Sequence, residues 1–380
     1  MKIIKDIVLN IIGFIQYTKL VFNRKYFDLV VGDIDPLEVL KLKLQSRKFA
    51  FNKNQKINFF LIFSINNWES IFIDEFKKFG LVKHFNWKNV DKFFENRDLW
   101  ESFFDNLNHQ ILNSFDEYYN EVDNFVVFLY TSDFCISNET IIKIQRKNVL
   151  IISFCWDDLL YFKSKVKGQP IGVSKLSKAV DFNLTMSPEA ISRYLYNNSP
   201  VFFWSSLKRN DLNYEFKSSV RDIDKFYVLF IGSKYGWRGK FISKLIQKGI
   251  DVVCFGKGWE NGSITFDEMI NQIKLAPVTL GFANVGHTKS ITTIKGRDFE
   301  VPLFGGLYLT QYSRGLSYYY IINKDVLTYN NFEDCVNILN KIKSNPMPYE
   351  IVRNNGIEKA HENATWNSRL LFLMDFISKL

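Results

Sequence analysis

FYVLFIGSKYGWRGKFISKLIQKGIDVVCFGKGW, residues 226–259, contains in order an apolar run, a glycine-rich turn, an amphipathic run and a second apolar run. The run Phe226 to Ile231 is short and rich in aromatic and β-branched residues, which predicts a strand, and Lys240 to Lys248 repeats its apolar positions at helical spacing. Asp251 to Phe255 is again strand-like. Two strands joined through a helix form a βαβ unit, and a βαβ unit implies parallel pairing. The pattern continues with a helix at Phe266 to Lys274, a strand at Val278 to Phe282, a helix from the 290s to Phe304 and a strand at Leu307 to Thr310. Helices follow at Asn331 to Lys343, Ile351 to His361 and Trp366 to Leu380.

The first half repeats this alternation. Strands are expected at Ile57 to Ile65, Leu81 to Trp87, Asn124 to Tyr130, Val149 to Phe154, Phe182 to Met186 and Val201 to Trp204. Helices are expected at Trp68 to Phe79, Leu99 to Tyr119, Asn138 to Arg146 and Pro188 to Tyr196, while the segment before Lys56 is poorly patterned. Lys208 to Lys225 is polar without sustained periodicity and reads as a link. Residues 1–210 are therefore expected to form one doubly wound α/β domain and 225–365 a second, with 366–380 a helix that crosses back to the first. Such sheets bind ligands at the carboxyl ends of their strands.

A chain of 380 residues, 47% of them hydrophobic, is long enough for two cores of roughly 150 to 200 residues each. The formal net charge of +9 favours anionic partners, but the basic residues are dispersed and no nucleic-acid module is present. The four cysteines, Cys135, Cys155, Cys254 and Cys335, form no CxxC pair and no metal-ligand spacing with the four histidines, which fits a reducing, cytoplasmic compartment. No run reaches the roughly 18 apolar residues of a membrane span. The segment Met1 to Phe27 has apolar residues at helical spacing among lysines and arginines and lacks a signal-peptide cleavage site. It is expected to dock on the protein's own core, with an interfacial helix on acidic lipid as the sharper alternative.

The chemistry concentrates in KGRDFEVPLFGGLYLT, Lys295 to Thr310, where a Lys, an Arg and a Glu fall within six residues. Lys295 and Arg297 suit a phosphate, and Glu300 suits a neutral hydroxyl pair such as a ribose. A sugar nucleotide offers both. The same residues also fit a solvated helix face followed by a glycine stop, so the neighbouring motifs decide. GSKYGWRG, Gly232 to Gly239, follows a strand and opens a helix, the context of a phosphate-binding turn, although the GxxxxGK[ST] order is absent. Gly232, Ser233 and Arg238 would face a diphosphate from it, or the turn is a plain strand-to-helix connection. FGKGW brings Gly256 and Trp259, either beside a nucleobase or closing the core. The polar loop Ala283 to Thr293 holds Gly286 and His287 and would cover a donor sugar.

In order and spacing these pieces, with YNNFEDCVNILNKI after them, resemble the CgeB-like (spore-maturation type) glycosyltransferases of the GT-B superfamily across about 150 residues of the second half. In the first half only the α/β pattern and the Trp156 to Asp158 run are similar. The resemblance implies two Rossmann-like domains facing an interdomain cleft, the donor on the second, the acceptor on the first, and no required metal or other cofactor. It assigns the donor ribose to Glu300 and matches Arg297 to the family's arginine just before that glutamate. Arg238 stands where related retaining enzymes carry a lysine, Ser233 replaces their arginine, and Thr292 replaces a second glutamate.

The expected activity is metal-independent transfer of a hexose-like sugar from a nucleoside diphosphate to a glycan or lipid-linked acceptor of the cell envelope. Arg238, Lys295 and Arg297 would stabilise charge on the leaving diphosphate. Candidates for a base are Asp157, Asp158, Asp133 and His287, strand-end carboxylates being equally common as helix caps. The competing readings are a non-catalytic nucleotide- or glycan-binding protein, a GT-B-like epimerase and a basic nucleic-acid-binding protein.

Overall fold

The structure is a computed structural model that describes residues 11, 14, 15, 18, 28, 31–52, 54–65, 70–87, 97–156, 158–163, 165–166, 169–204, 225–288, 291–363 and 365–380. Most of the expected N-terminal helix, the 208–225 link and Asp157 lie outside these residues. Contacts divide the chain into two compact units, one containing Phe22–Ser205 with Leu370–Leu380 and the other containing Ser206–Arg369.

The Phe22–Ser205 unit is built on six parallel strands: β1 (Ile57–Ile62), β2 (Val82–Phe85), β3 (Asn124–Leu129), β4 (Val149–Cys155), β7 (Phe182–Thr185) and β8 (Val201–Phe203), arranged β2-β1-β3-β4-β7-β8. A small antiparallel pair, β5 (Lys165–Val166) with β6 (Gln169–Pro170), interrupts the series. Every residue of β3 is buried, as a parallel sheet covered on both faces requires. The phenylalanine excess belongs to this core. Phe72 and Phe76 of the Ser70–Lys77 helix lie 5.7 and 5.2 Å from Phe128, and Phe76 lies 5.1 Å from Phe59. Each such ring contributes on the order of 2 kcal/mol by leaving water. Phe376, from Leu370–Leu380, closes the sheet's far edge at 5.6 Å from Phe182 and 4.9 Å from Phe202.

The segment before Lys56 is not patternless. Pro36–Ser46 is a helix with Asp35 as its N-cap, the carboxylate accepting from Leu37 N at 2.9 Å, and Pro36 in its first turn. Only Leu40 and Leu44 of this helix are buried, which is why its periodicity is faint. Arg47, just past its end, ties it down: Nε and Nη2 each lie 2.6 Å from the fully buried carboxylate of Asp181, which also accepts from Ile151 N.

The Ser206–Arg369 unit holds five parallel strands, β9 (Val228–Ile231), β10 (Val252–Phe255), β11 (Val278–Leu280), β12 (Tyr308–Gln311) and β13 (Leu327–Tyr329), in the order β10-β9-β11-β12-β13. The three-residue β13 gave no pattern of its own in the sequence. Helices Arg238–Gln247, Phe266–Leu275, Arg297–Leu303, Phe332–Ser344 and Met347–Asn363 follow the expected runs, with Arg238 rather than Lys240 opening the first. The Arg297–Leu303 helix has only 7 residues and contains Pro302, so charge near it must come from side chains more than from a backbone dipole. Because the chain runs from β9 outward to β10 and back across to β11, the crevice beyond the carboxyl ends of β9 and β11 is the topological switch point.

Candidate functional site

At the end of β9, three consecutive carbonyls are taken by the side chains of Arg297 and Arg238, each the first residue of a helix, and of Trp259 from the loop after β10. Ile231 O accepts from Arg297 Nε at 3.3 Å, Gly232 O from Trp259 Nε1 at 2.8 Å and Ser233 O from Arg238 Nη1 at 3.3 Å. A strand end normally presents acceptors. Here they are covered by donors, and each guanidinium has further N–H groups, so the edge is suited to an anion.

Arg238 is 8% exposed, its guanidinium 4.0 Å from the Tyr235 ring centroid and between the rings of Phe230 and Phe282 at 5.8 and 5.7 Å. Burial lowers its pKa, and its Nε is buried with no hydrogen-bond partner within the protein. Asn284 Oδ1, after β11, and Ser313 Oγ, after β12, are buried and unpartnered in the same way. Three adjacent strands therefore each carry a buried hydrogen-bonding atom without a protein partner just past the carboxyl end, an arrangement natural proteins seldom leave unused.

The turn from Gly232 to Gly239 packs on the loop after β11. Trp237 Nε1 donates to Thr288 O at 3.1 Å, and a Cβ on Gly236 would sit 3.5 Å from His287 Nδ1, with Gly236 in the left-handed region at φ +57°. Tyr235 meets His287 edge to face at 6.4 Å. Gly286 lies in the same loop, its carbonyl accepting from Asn284 Nδ2 at 3.1 Å. His287 thus stands beside the turn. Gly256 and Trp259 pack against the turn through Gly232 O. A Cβ on Gly256 would stand 2.5 Å from Gly232 O, the Trp259 N–H is spent on that carbonyl, and Lys234 Nζ lies 4.7 Å from the indole centroid. Both residues hold the turn.

Arg297 and Glu300 come together as an i,i+3 ion pair, their side chains 31% and 14% exposed. Burial pushes the Arg297 pKa down to about 10. Lys295 precedes the helix, its backbone N–H donating to Asp298 Oδ2 at 2.7 Å. Asp298, which the sequence reading passed over, is 1% exposed, and its Oδ1 also accepts from Tyr308 Oη at 2.8 Å and Thr310 Oγ1 at 3.4 Å.

In the other unit two of the three carboxylates offered as bases, Asp158 and Asp133, are committed to structure. Asp158 is 0% exposed and accepts from Tyr194 Oη at 3.0 Å, and Asp133 accepts from the backbone N–H of Lys175 and Leu176 at 3.2 and 2.8 Å. Asp133 is a cap, with burial raising its pKa. Of the four cysteines, Cys135, Cys254 and Cys335 are buried, and burial pushes the Cys135 and Cys254 thiols up to about 12, which leaves them inert.

Two doubly wound parallel sheets, each with its own core, define the GT-B fold class. Residues 238–375 match the family model described as glycosyl transferase-like. The fold is similar to that of an alpha-glucosyltransferase solved with UDP-glucose and DNA containing an abasic site (TM-score 0.58, 11% identity, 85% of this chain and 99% of that one). It is also similar to sucrose-phosphate synthase from Thermosynechococcus elongatus (TM-score 0.56, 12% identity, 85% and 99%). Anabaena HepE, solved with UDP and glucose, is a third (TM-score 0.54, 11% identity, 85% and 100%). No curated protein sequence matches the chain.

Proposed function

We propose that this protein is a CgeB-like glycosyltransferase that moves a sugar from a nucleoside diphosphate donor to a glycan or lipid-linked acceptor during envelope glycan assembly. The observation that carries the reading is the donor-covered end of β9, where Arg238 and Arg297 cap Ser233 O and Ile231 O and the buried Arg238 Nε has no protein partner. A diphosphate satisfies that N–H and offers oxygens to both guanidinium groups. As the bond from the sugar's anomeric carbon to the phosphate oxygen breaks, negative charge gathers on the leaving diphosphate, and these fixed cations stabilise it. The reading requires no metal. Glu300 turns from Arg297 to the ribose hydroxyls when Arg297 engages phosphate, so the ion pair serves as the resting arrangement. His287, beside the turn, would face a sugar held there.

Ile11, Phe14 and Ile15 are helical and 53%, 69% and 59% exposed, in a segment whose sequence is rich in lysine. This supports peripheral attachment to an acidic membrane at the cytoplasmic face. Among the described residues no helix is long and apolar enough to cross a membrane.

The test is a thermal-shift screen of nucleoside diphosphate sugars, followed by product analysis of donor and acceptor mixtures. A bound donor raises stability by RT ln(1 + [L]/Kd). Binding with neither hydrolysis nor transfer would favour a non-catalytic partner, in line with Ser233 and Thr292 standing where related enzymes carry Arg and Glu. A common epimerised product would mark an epimerase. Binding of none of the donors would reject the site.

A further inference from the structure

Asp298 belongs to a buried polar network that the donor reading does not use. Its carboxylate joins the backbone just before the Arg297–Leu303 helix to two hydroxyls of β12, through Lys295 N, Tyr308 Oη and Thr310 Oγ1. Room for those hydroxyls exists because residue 281 is glycine. A Cβ there would stand 2.1 Å from Tyr308 Oη and 2.5 Å from Thr310 Oγ1. Gly281 O is in turn held by Tyr329 Oη at 2.8 Å. The network thus runs from β13 through β11 and β12 to the turn that presents Lys295, Arg297 and Glu300.

We propose that Asp298 is a positioning residue for the donor, and that its negative charge, confined beside the cations that take the diphosphate, couples donor binding to uptake of one proton. The proposal rests on the donor reading above. The titratable groups that face Asp298 are Lys295, whose charge favours ionisation, and the phenols of Tyr308, Tyr320 and Tyr329, all held neutral by burial and by Asp298 itself. Asp325 also acts on Tyr320 electrostatically. Arg297 and Glu300 flank Asp298 on its own helix as a mutually neutralised pair. Burial dominates and pushes its pKa up to about 6, its three hydrogen bonds opposing the rise. The two charges of a diphosphate about 10 Å away, in a medium of effective dielectric about 20, would raise it by roughly two further units. Donor affinity should then rise about twentyfold between pH 7.5 and 5.

The experiment titrates wild type, Asp298→Asn and Asp298→Ala with UDP-glucose, ADP-glucose and GDP-glucose, whose diphosphate diesters do not titrate in this range. An asparagine can turn its amide so that Oδ1 accepts from Lys295 N and Nδ2 donates to Tyr308 Oη and Thr310 Oγ1. It keeps the position and loses the charge. The expected result is a pH-independent affinity for Asp298→Asn near the acid-limb value of wild type, and at least a tenfold loss for Asp298→Ala at every pH. A parallel readout is stability. Because the folded pKa lies above the unfolded value of 3.8, the contribution is complete below 3.8 and is lost as pH rises through about 6. Relative to Asp298→Asn, wild type should lose roughly a hundredfold in its folding equilibrium across that window. Equal pH slopes of affinity in wild type and Asp298→Asn, or wild-type affinity in Asp298→Ala, would overturn the proposal while leaving the donor site standing. Failure of wild type to bind any of the three would overturn both.

Discussion

Replacing Arg238 by methionine separates a ligand-binding arginine from a structural one. In the unliganded protein the substitution removes a cation–π contact with Tyr235 at 4.0 Å and a hydrogen bond to Ser233 O at 3.3 Å, each worth about 1 kcal/mol. It also removes a guanidinium that is 8% exposed with an unpartnered Nε, a burden of about 1–3 kcal/mol. Methionine fills a similar volume among Phe230, Tyr235 and Phe282. The terms nearly cancel, so stability without ligand should change by no more than about 1–2 kcal/mol in either direction. With donor bound the balance is one-sided. Two charge-assisted hydrogen bonds to phosphate, about 1.5–3 kcal/mol each, disappear, and affinity should fall on the order of a hundredfold or more. Urea denaturation with and without donor reads both quantities. At a donor concentration near 100 times the wild-type Kd, wild type gains about 2.7 kcal/mol and the variant about 0.4 kcal/mol. A variant that loses more than about 3 kcal/mol without ligand yet keeps the full donor increment would show that Arg238 is a staple of the turn and refute the reasoning.

Gly256→Ala should destabilise by roughly 2–4 kcal/mol, because its φ of +124° disfavours a side chain and the new Cβ would meet Gly232 O at 2.5 Å; a melting temperature within a degree of wild type would contradict this. Glu300→Ala should weaken donor binding about tenfold or more in calorimetry and cost about 1–3 kcal/mol of stability, since its side chain is only 14% exposed and its loss leaves the largely buried Arg297 without its ion-pair partner; unchanged donor titrations would count against the site. Arg47→Ala should cost about 3–5 kcal/mol, as it strands the fully buried carboxylate of Asp181, and an additional Asp181→Asn should recover part of the loss in chemical denaturation. Phe14→Glu should abolish cosedimentation with vesicles rich in phosphatidylglycerol while leaving donor binding intact, and unchanged cosedimentation would reject the membrane role.

Much of the alternation of strand and helix was legible because its signal is local. Runs such as NFVVFL and VLIISFC are continuous and apolar, and in a parallel sheet such runs are buried on both faces. What escaped were elements whose burial is supplied from elsewhere. Pro36–Ser46 buries two leucines and is held by Arg47 on Asp181, and β13 has three residues that make sense only beside β12. The candidate residues were legible for the same reason. Arg238, Arg297 and Glu300 stood out by type, and the i,i+3 spacing of Arg297 and Glu300 on an expected helix is itself that of an ion pair. Trp259 and Gly256 drew attention as residues for a ligand. Their partner is Gly232, more than 20 positions away in the chain, and that contact exists only once β9 and β10 lie side by side.

By itself, the sequence determined the kind of fold and the inventory of charged groups available for an anion, since periodicity and residue type act over a few neighbouring positions. Tertiary structure alone decided which of those groups converge on the end of β9, which carboxylates are spent as caps or buried partners, and that Asp298 lies at the heart of the network. Those outcomes depend on desolvation and on hydrogen bonds between strands distant in the chain, and neither quantity has a value until the sheet has closed around them.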